Sequence, residues 1–279
     1  MVMNVIASEW TAPSLPSDDV QGSRGVVGVL GGMGPLATVD FLHKMLLATP
    51  AAHDQDHVPV LACNLPQIPD RTLAYRGQGP SPLPAMLSNA RRLVAGGAGL
   101  IVVPCNTAHL WFQDLQQQVA LPMLHIVDAA LAEVRQLTSS LSPPIRVGLL
   151  ATDATLASGL YMNRHSAETQ DTSAALQWSL PTAVEMMEHV MPGINAVKSG
   201  HIDKGREHLQ TAAQALIQRG AQVLVLACTE IPLVLNESLV GLPVVDATAA
   251  LARAAVAWSR KTINQQTSPG RSPASRNTA

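Results

Sequence analysis

Cysteine is scarce in this chain of 279 residues; the three that occur are Cys63, Cys105 and Cys228. An odd count with no C-x-x-C spacing argues against a disulfide framework or a zinc module, so no metal is expected. Free thiols fit a reducing, cytoplasmic setting. Charge is scarce as well. Only 14% of residues are charged, the net charge is −2, and no basic block is present to hold nucleic acid. No apolar run reaches the roughly 18 residues that would cross a bilayer, so no membrane partner is expected. Residues 1–24 lack the basic start and apolar centre of a signal peptide and read as a polar extension. Residues 263–279, rich in Ser, Pro, Gln and Asn, read as a disordered tail.

Apolar residues make up 47% of the chain, and they fall in short runs between helical patterns. "GVVGVL" (25–30), "VPVLACN" (58–64) and "LIVVP" (100–104) are strand-like. Between the last two, Leu83, Met86, Leu87, Ala90, Leu93 and Val94 recur at helical spacing and glycines follow. Buried runs alternating with helices predict parallel sheets covered on both faces.

The pattern then repeats. "RVGLLATDATLASGLYMNR" (146–164) mirrors "GVVGVLGGMGPLATVDFLHK" (25–44), and "GAQVLVLACT" mirrors "GAGLIVVPCNT". Leu121-Pro122 and Leu242-Pro243 are matched landmarks, offset like the others by about 120 residues. The expected fold is α/β: two pseudo-symmetric open parallel-sheet domains with a cleft between them. The first spans 25–128 plus about 245–262; the second spans 129–244.

In such sheets ligands bind at the carboxyl ends of the strands, which is where Cys105 and Cys228 fall, one per half. Two acid/base groups facing one ligand from opposite sides suit inversion of a carbon that bears an acidic C–H. Both cysteines precede expected helix starts, whose N–H groups and dipole favour thiolate. Asn106, Thr107 and Thr229 follow them and can cap those helices or hold a carboxylate there. Cys63, which has no partner in the other half, reads as a packing residue.

Taken together and in order, "GVLGGMGPLAT", "NLPQIPDRT", "PCNTAH", "VKSG" and "ACTEIPL" resemble the aspartate racemase branch of the aspartate/glutamate racemase family. The likeness runs from about residue 25 to 260. It implies racemisation of an amino-acid substrate without a cofactor, by the pair Cys105 and Cys228. It also implies that Asp70 and Arg71 of "PQIPDR" and Lys198 of "VKSG" face the substrate, two cations against two carboxylates. Met33 in the first motif and Thr155 in the second-half turn complete the expected substrate-binding set. Similar proteins are commonly dimers, so a homodimer is a further expectation. One departure stands out: the second-half turn reads "ATDATLASG", with Asp153 and Ala154 where similar sequences have Gly-containing Thr-x-Gly-Thr. Asp153 would add a negative charge near an anionic substrate.

Other readings compete. "GMGPLA" satisfies a dinucleotide fingerprint after a strand, but Pro35 removes a needed N–H and the next strand ends without an acidic residue. Cys105 and His109 stand four apart, as in a Cys–His hydrolase dyad, yet a hydrolase would not need Cys228. A racemase of glutamate or of a broader set of amino acids, and a catalytically silent amino-acid-binding protein on the same scaffold, remain as alternatives.

Overall fold

The computed structural model describes residues 25–168 and 176–267. The expected extension, and the tail beyond residue 267, lie outside them. Within them are two four-stranded parallel sheets. The first comprises β1 (Val27–Leu30), β2 (Val60–Cys63), β3 (Leu100–Val102) and β4 (Met123–Leu124), ordered β2-β1-β3-β4. The second comprises β5 (Ile145–Ala151), β6 (Leu176–Ser179), β7 (Val223–Ala227) and β8 (Val244–Asp246), ordered β6-β5-β7-β8. The two orders are the same. The repeat in the sequence is therefore a repeat of topology, with Val27 opposite Val60 and Leu100, and Val147 opposite Val223.

Alternation along each strand sends side chains to two different cores. Val27, Val29, Leu100 and Val102 face a cluster that also receives Val147, Leu149, Val223 and Val225 from the second sheet. Helices Ile126–Thr138 and Ala247–Thr267 supply Val127, Leu131, Leu251 and Ala255 to that same cluster. The sheets thus share one helical layer. On their outer faces, Leu30 and Ile101 pack under helix Leu83–Ala95. Leu150, Leu224 and Leu226 pack under helices Met191–Lys198 and Ile202–Gln218.

Matched glycines allow close approach on those outer faces. A Cβ at Gly28 would lie 2.8 Å from Ala98 Cβ, and one at Gly148 would lie 2.6 Å from a Leu224 methyl and 3.2 Å from Ala221 Cβ. A side chain at either place would push the covering segment off its central strand.

Helix Ala247–Thr267 packs against helices Pro35–Ala48 and Ile126–Thr138, so the last helix returns to the first half. It continues through Thr267, into the stretch expected to be tail. Val245 and Asp246 pair in the second sheet through β8. No helix among the described residues is long and apolar enough to cross a membrane.

Candidate active site

Both cysteines stand just past the carboxyl ends of central strands, Cys105 after β3 and Cys228 after β7. They line one pocket of about 310 Å³, its mouth included. The first half contributes Met33, Asp70, Arg71, Asn106 and Thr107 to its wall; the second contributes Lys198 and Thr229. Nine of the ten residues singled out from the sequence are therefore brought together. Thr155 is not among them. It is fully buried behind the wall, its hydroxyl 3.1 Å from Thr107 Oγ1 and 3.0 Å from Thr152 Oγ1. Thr152 takes the wall position instead, 2.9 Å from Thr107 Oγ1 across the two halves.

Thr72, Thr152 and Glu230 line the pocket but were not singled out. Glu230 carried a signal: it completes the Cys-Thr-Glu run whose first two members were chosen. It is buried, and its Oε2 accepts hydrogen bonds from the Cys228 thiol at 3.1 Å and from Thr229 Oγ1 at 3.3 Å.

The expected helix starts need correction. Cys105 leads into a 3₁₀ turn, Thr107–Trp111, before the α-helix Phe112–Gln118 begins, and Cys228 is followed only by the short 3₁₀ turn Ile231–Leu233. The side chain of Asn106 makes no capping bond, and Thr229 gives its hydroxyl to Glu230. Nor is the Cys228 thiol tuned toward thiolate. Burial, reinforced by repulsion from Glu230, pushes its pKa well up, and Lys198 only partly offsets this. At rest Cys228 is a thiol donating to a carboxylate.

The cations have defined settings. Arg71 opens helix Arg71–Tyr75 and directs Nη1 to the carbonyls of Ile68 and Pro69 at 3.3 and 3.1 Å. Asp70 caps the same helix, accepting from Leu73 N at 2.8 Å. Lys198 is the last residue of its helix. Surrounding protein disfavours its charge, but attraction to Cys228 once that thiol is ionised, and to Glu230, outweighs that and raises its pKa.

Three sequence questions are answered by geometry. Gly32 has φ +88°, and a Cβ there would lie 2.2 Å from Leu65 O, so this glycine serves a tight turn against the end of β2. His109 forms no dyad with the Cys105 thiol. Its Nδ1 lies 2.8 Å from the Cys105 carbonyl and its Nε2 accepts from Ile126 N at 3.1 Å, so both ring nitrogens are engaged. Burial lowers its pKa to about 4, consistent with a neutral ring. Asp153 is not in the pocket wall; it pairs with Arg76 of the first half and accepts from Ala154 N at 2.8 Å. Its charge is thereby spent on an ion pair rather than set against a substrate. Among the described residues, no group of three or more His, Cys, Asp or Glu could hold a metal ion.

Matched thiols at the ends of matched strands lead to comparison with known proteins. A family model described as Asp/Glu/Hydantoin racemase matches residues 30–255. The chain belongs to this family. It is thereby an amino-acid racemase, an isomerase. The broad specificity amino-acid racemase RacX of Bacillus subtilis (strain 168) is 28% identical over 238 residues, covering 83% of this chain and 96% of that one. Among solved structures, the aspartate racemase of Picrophilus torridus is 32% identical with a TM-score of 0.73, covering 84% of this chain and 94% of that chain. The glutamate racemase of Francisella tularensis, solved with D-glutamate, shares the fold at a TM-score of 0.62 and 14% identity.

Proposed function

We propose that this racemase interconverts the L and D forms of aspartate, or of a close relative, by two-base proton transfer between Cys105 and Cys228. The observation that carries the reading is that thiols from the two halves of a duplicated fold line one pocket. One sulfur takes the α-proton as thiolate while the other delivers a proton to the opposite face of Cα; in the reverse direction the roles exchange. The two thiols carry both transfers, so the proposal calls for no cofactor. Cys228, protonated and bonded to Glu230, is poised first as the acid. When it must act as base, Glu230 is placed to receive its proton.

Arg71 and Lys198 supply two cations for two carboxylates. Thr107 and Thr152 present hydroxyls where the α-carboxylate gains negative charge as the Cα proton leaves. Free thiols at the centre of the reaction call for a reducing compartment, which we take to be the cytoplasm.

A broader substrate range is the second reading, favoured by an adjoining open depression of about 650 Å³, its mouth included. It shares Asp70, Arg71, Lys198 and Glu230 with the pocket and is otherwise walled in part by Pro35, Leu36, Val197 and Leu233. That space suits a side chain longer and more apolar than that of aspartate, and RacX is named for broad specificity.

Proton NMR in D₂O decides between them. L- and D-aspartate, then glutamate and longer amino acids, are each added to the protein. Loss of the α-proton signal, with the opposite enantiomer emerging on a chiral column, is expected for aspartate. Exchange confined to longer amino acids would replace aspartate by the second reading. No exchange with any of them would sink the racemase assignment to this substrate class.

A further inference from the structure

Tyr161 is the largest fully buried side chain among the described residues, and the proposed chemistry gives it no task. It belongs to helix Leu160–Glu168 of the second half, and its ring packs edge-on against Trp178. Its hydroxyl, however, crosses to the first half and lies 2.6 Å from Asn106 Oδ1. Asn106 is 2% exposed, lines the pocket beside Cys105, and its Nδ2 has no hydrogen-bond partner among the described residues. A buried primary amide with both N–H donors unmade is an uncommon arrangement, because each such donor loses its water without replacement. A ligand bearing acceptor oxygens removes that deficit.

An amide can present either end to a partner, and the two ends have nearly the same shape. One orientation aims two donors into the pocket; the other aims a carbonyl oxygen there, which repels a carboxylate. Something must select the first. We infer that Tyr161 is a positioning residue, whose O–H holds the Asn106 carbonyl and thereby turns the Asn106 N–H groups toward a substrate carboxylate. The inference rests on the proposed reading of the pocket as an amino-acid site.

The phenol suits the task. Burial, helped by the nearby Asp246 and Cys228, pushes its pKa far above the usual range, so it remains a protonated donor at any working pH. Its placement also ties the orientation of the amide to the docking of the halves, since donor and acceptor come from different halves.

The test is a double-mutant cycle on racemisation kinetics, with Tyr161→Phe, Asn106→Ala and the pair, accompanied by thermal melts. Wild-type α-proton exchange comes first; if it is absent with every amino acid tested, the racemase reading fails and this inference with it. With exchange established, Tyr161→Phe keeps the ring and loses only the hydroxyl. KM is expected to rise about tenfold, the worth of one well-made hydrogen bond, with kcat within about twofold because the contact serves ground and transition states alike. Asn106→Ala should raise KM at least as much, and the double variant should be no worse than Asn106→Ala alone. Additive losses, or an unchanged KM in Tyr161→Phe, would overturn the positioning role while leaving the racemase intact. So would a Tyr161→Phe protein that loses folding and activity together, since the hydroxyl would then serve only the core.

Discussion

The two halves place their thiols alike and surround them differently. After β3 the order is Cys105-Asn106-Thr107; after β7 it is Cys228-Thr229-Glu230. Behind Cys105 stand two neutral imidazoles, His109 and His125, with ring centres 4.6 Å apart, and His109 meets the Cys105 carbonyl. Beside Cys228 stands a carboxylate, Glu230, in contact with the sulfur. Where the second half has Glu230 the first has Thr107, whose hydroxyl lies 2.9 Å from that of Thr152. Duplication thus fixes where a thiol sits, and the residues after it set what surrounds that thiol. On the proposed mechanism, mirror-image substrates would meet two thiols in unequal settings.

The strongest test of that comparison removes each carrier. Cys105→Ala and Cys228→Ala should each lower racemisation by about 10²–10⁴-fold, the usual worth of a positioned acid or base, measured by chiral chromatography. Racemisation retained in either purified variant would break the pairing of the halves. The next test erases the difference between them. Glu230→Gln keeps the shape and removes the charge, and since Glu230 raises the Cys228 pKa, thiolate absorbance near 240 nm should then appear at lower pH. Activity should fall about tenfold to a hundredfold as Cys228 loses its proton acceptor.

A third test concerns the imidazoles. Burial lowers the pKa of His109 to about 4, and burial together with neighbouring charge lowers that of His125 to about 2. Both are neutral in the folded protein near neutral pH. Below about pH 6.5 the unfolded chain takes up protons that the folded chain refuses, so stability is complete above that pH and falls as the solution is acidified toward the folded values. His125 Nδ1 accepts from Val127 N at 3.2 Å as a helix cap. His125→Asn can keep that acceptor without titrating, and should flatten the decline in melting temperature between pH 6.5 and 4.5, an effect on the order of 2 kcal/mol. An unchanged slope would remove His125 from the acid response. The smallest effect belongs to one of the ion pairs that join the halves, Arg76 with Asp153. Arg76 is half exposed, and Arg76→Ala should cost under about 1 kcal/mol in a thermal melt. A larger loss would mean that the halves depend on this contact to close.

Much of this was legible in the sequence because it lies in short-range patterns. Strand runs ending in Cys105 and Cys228, and the constant offset between landmarks, were enough to give two parallel-sheet halves and Cys105, Asn106, Thr107, Cys228 and Thr229 in the pocket; Met33, Asp70, Arg71 and Lys198 came from the family resemblance. What escaped depends on side-chain direction across the two halves. Thr152 and Thr155 are three apart on one turn, and only the docked first half decides which of them faces the pocket. The shift of Cys228 toward thiol was hidden for a different reason: local sequence suggests a helix dipole, whereas burial and a carboxylate two residues on dominate. The negative charge of Asp153 looked like a threat to an anionic substrate until Arg76, remote in sequence, was seen to neutralise it.

The return of helix Ala247–Thr267 to the first half has a consequence for the order of synthesis. A chain leaving the ribosome delivers the first sheet and helix Pro35–Ala48 early, with Phe41 and Met45 turned toward a cluster still lacking Leu251, Ala255 and Val256. The first-made half therefore waits, one face unsealed, until the last-described helix emerges. A chain halted before residue 247 therefore carries both cysteines while the cluster shared by the two sheets still lacks Leu251, Ala255 and Val256.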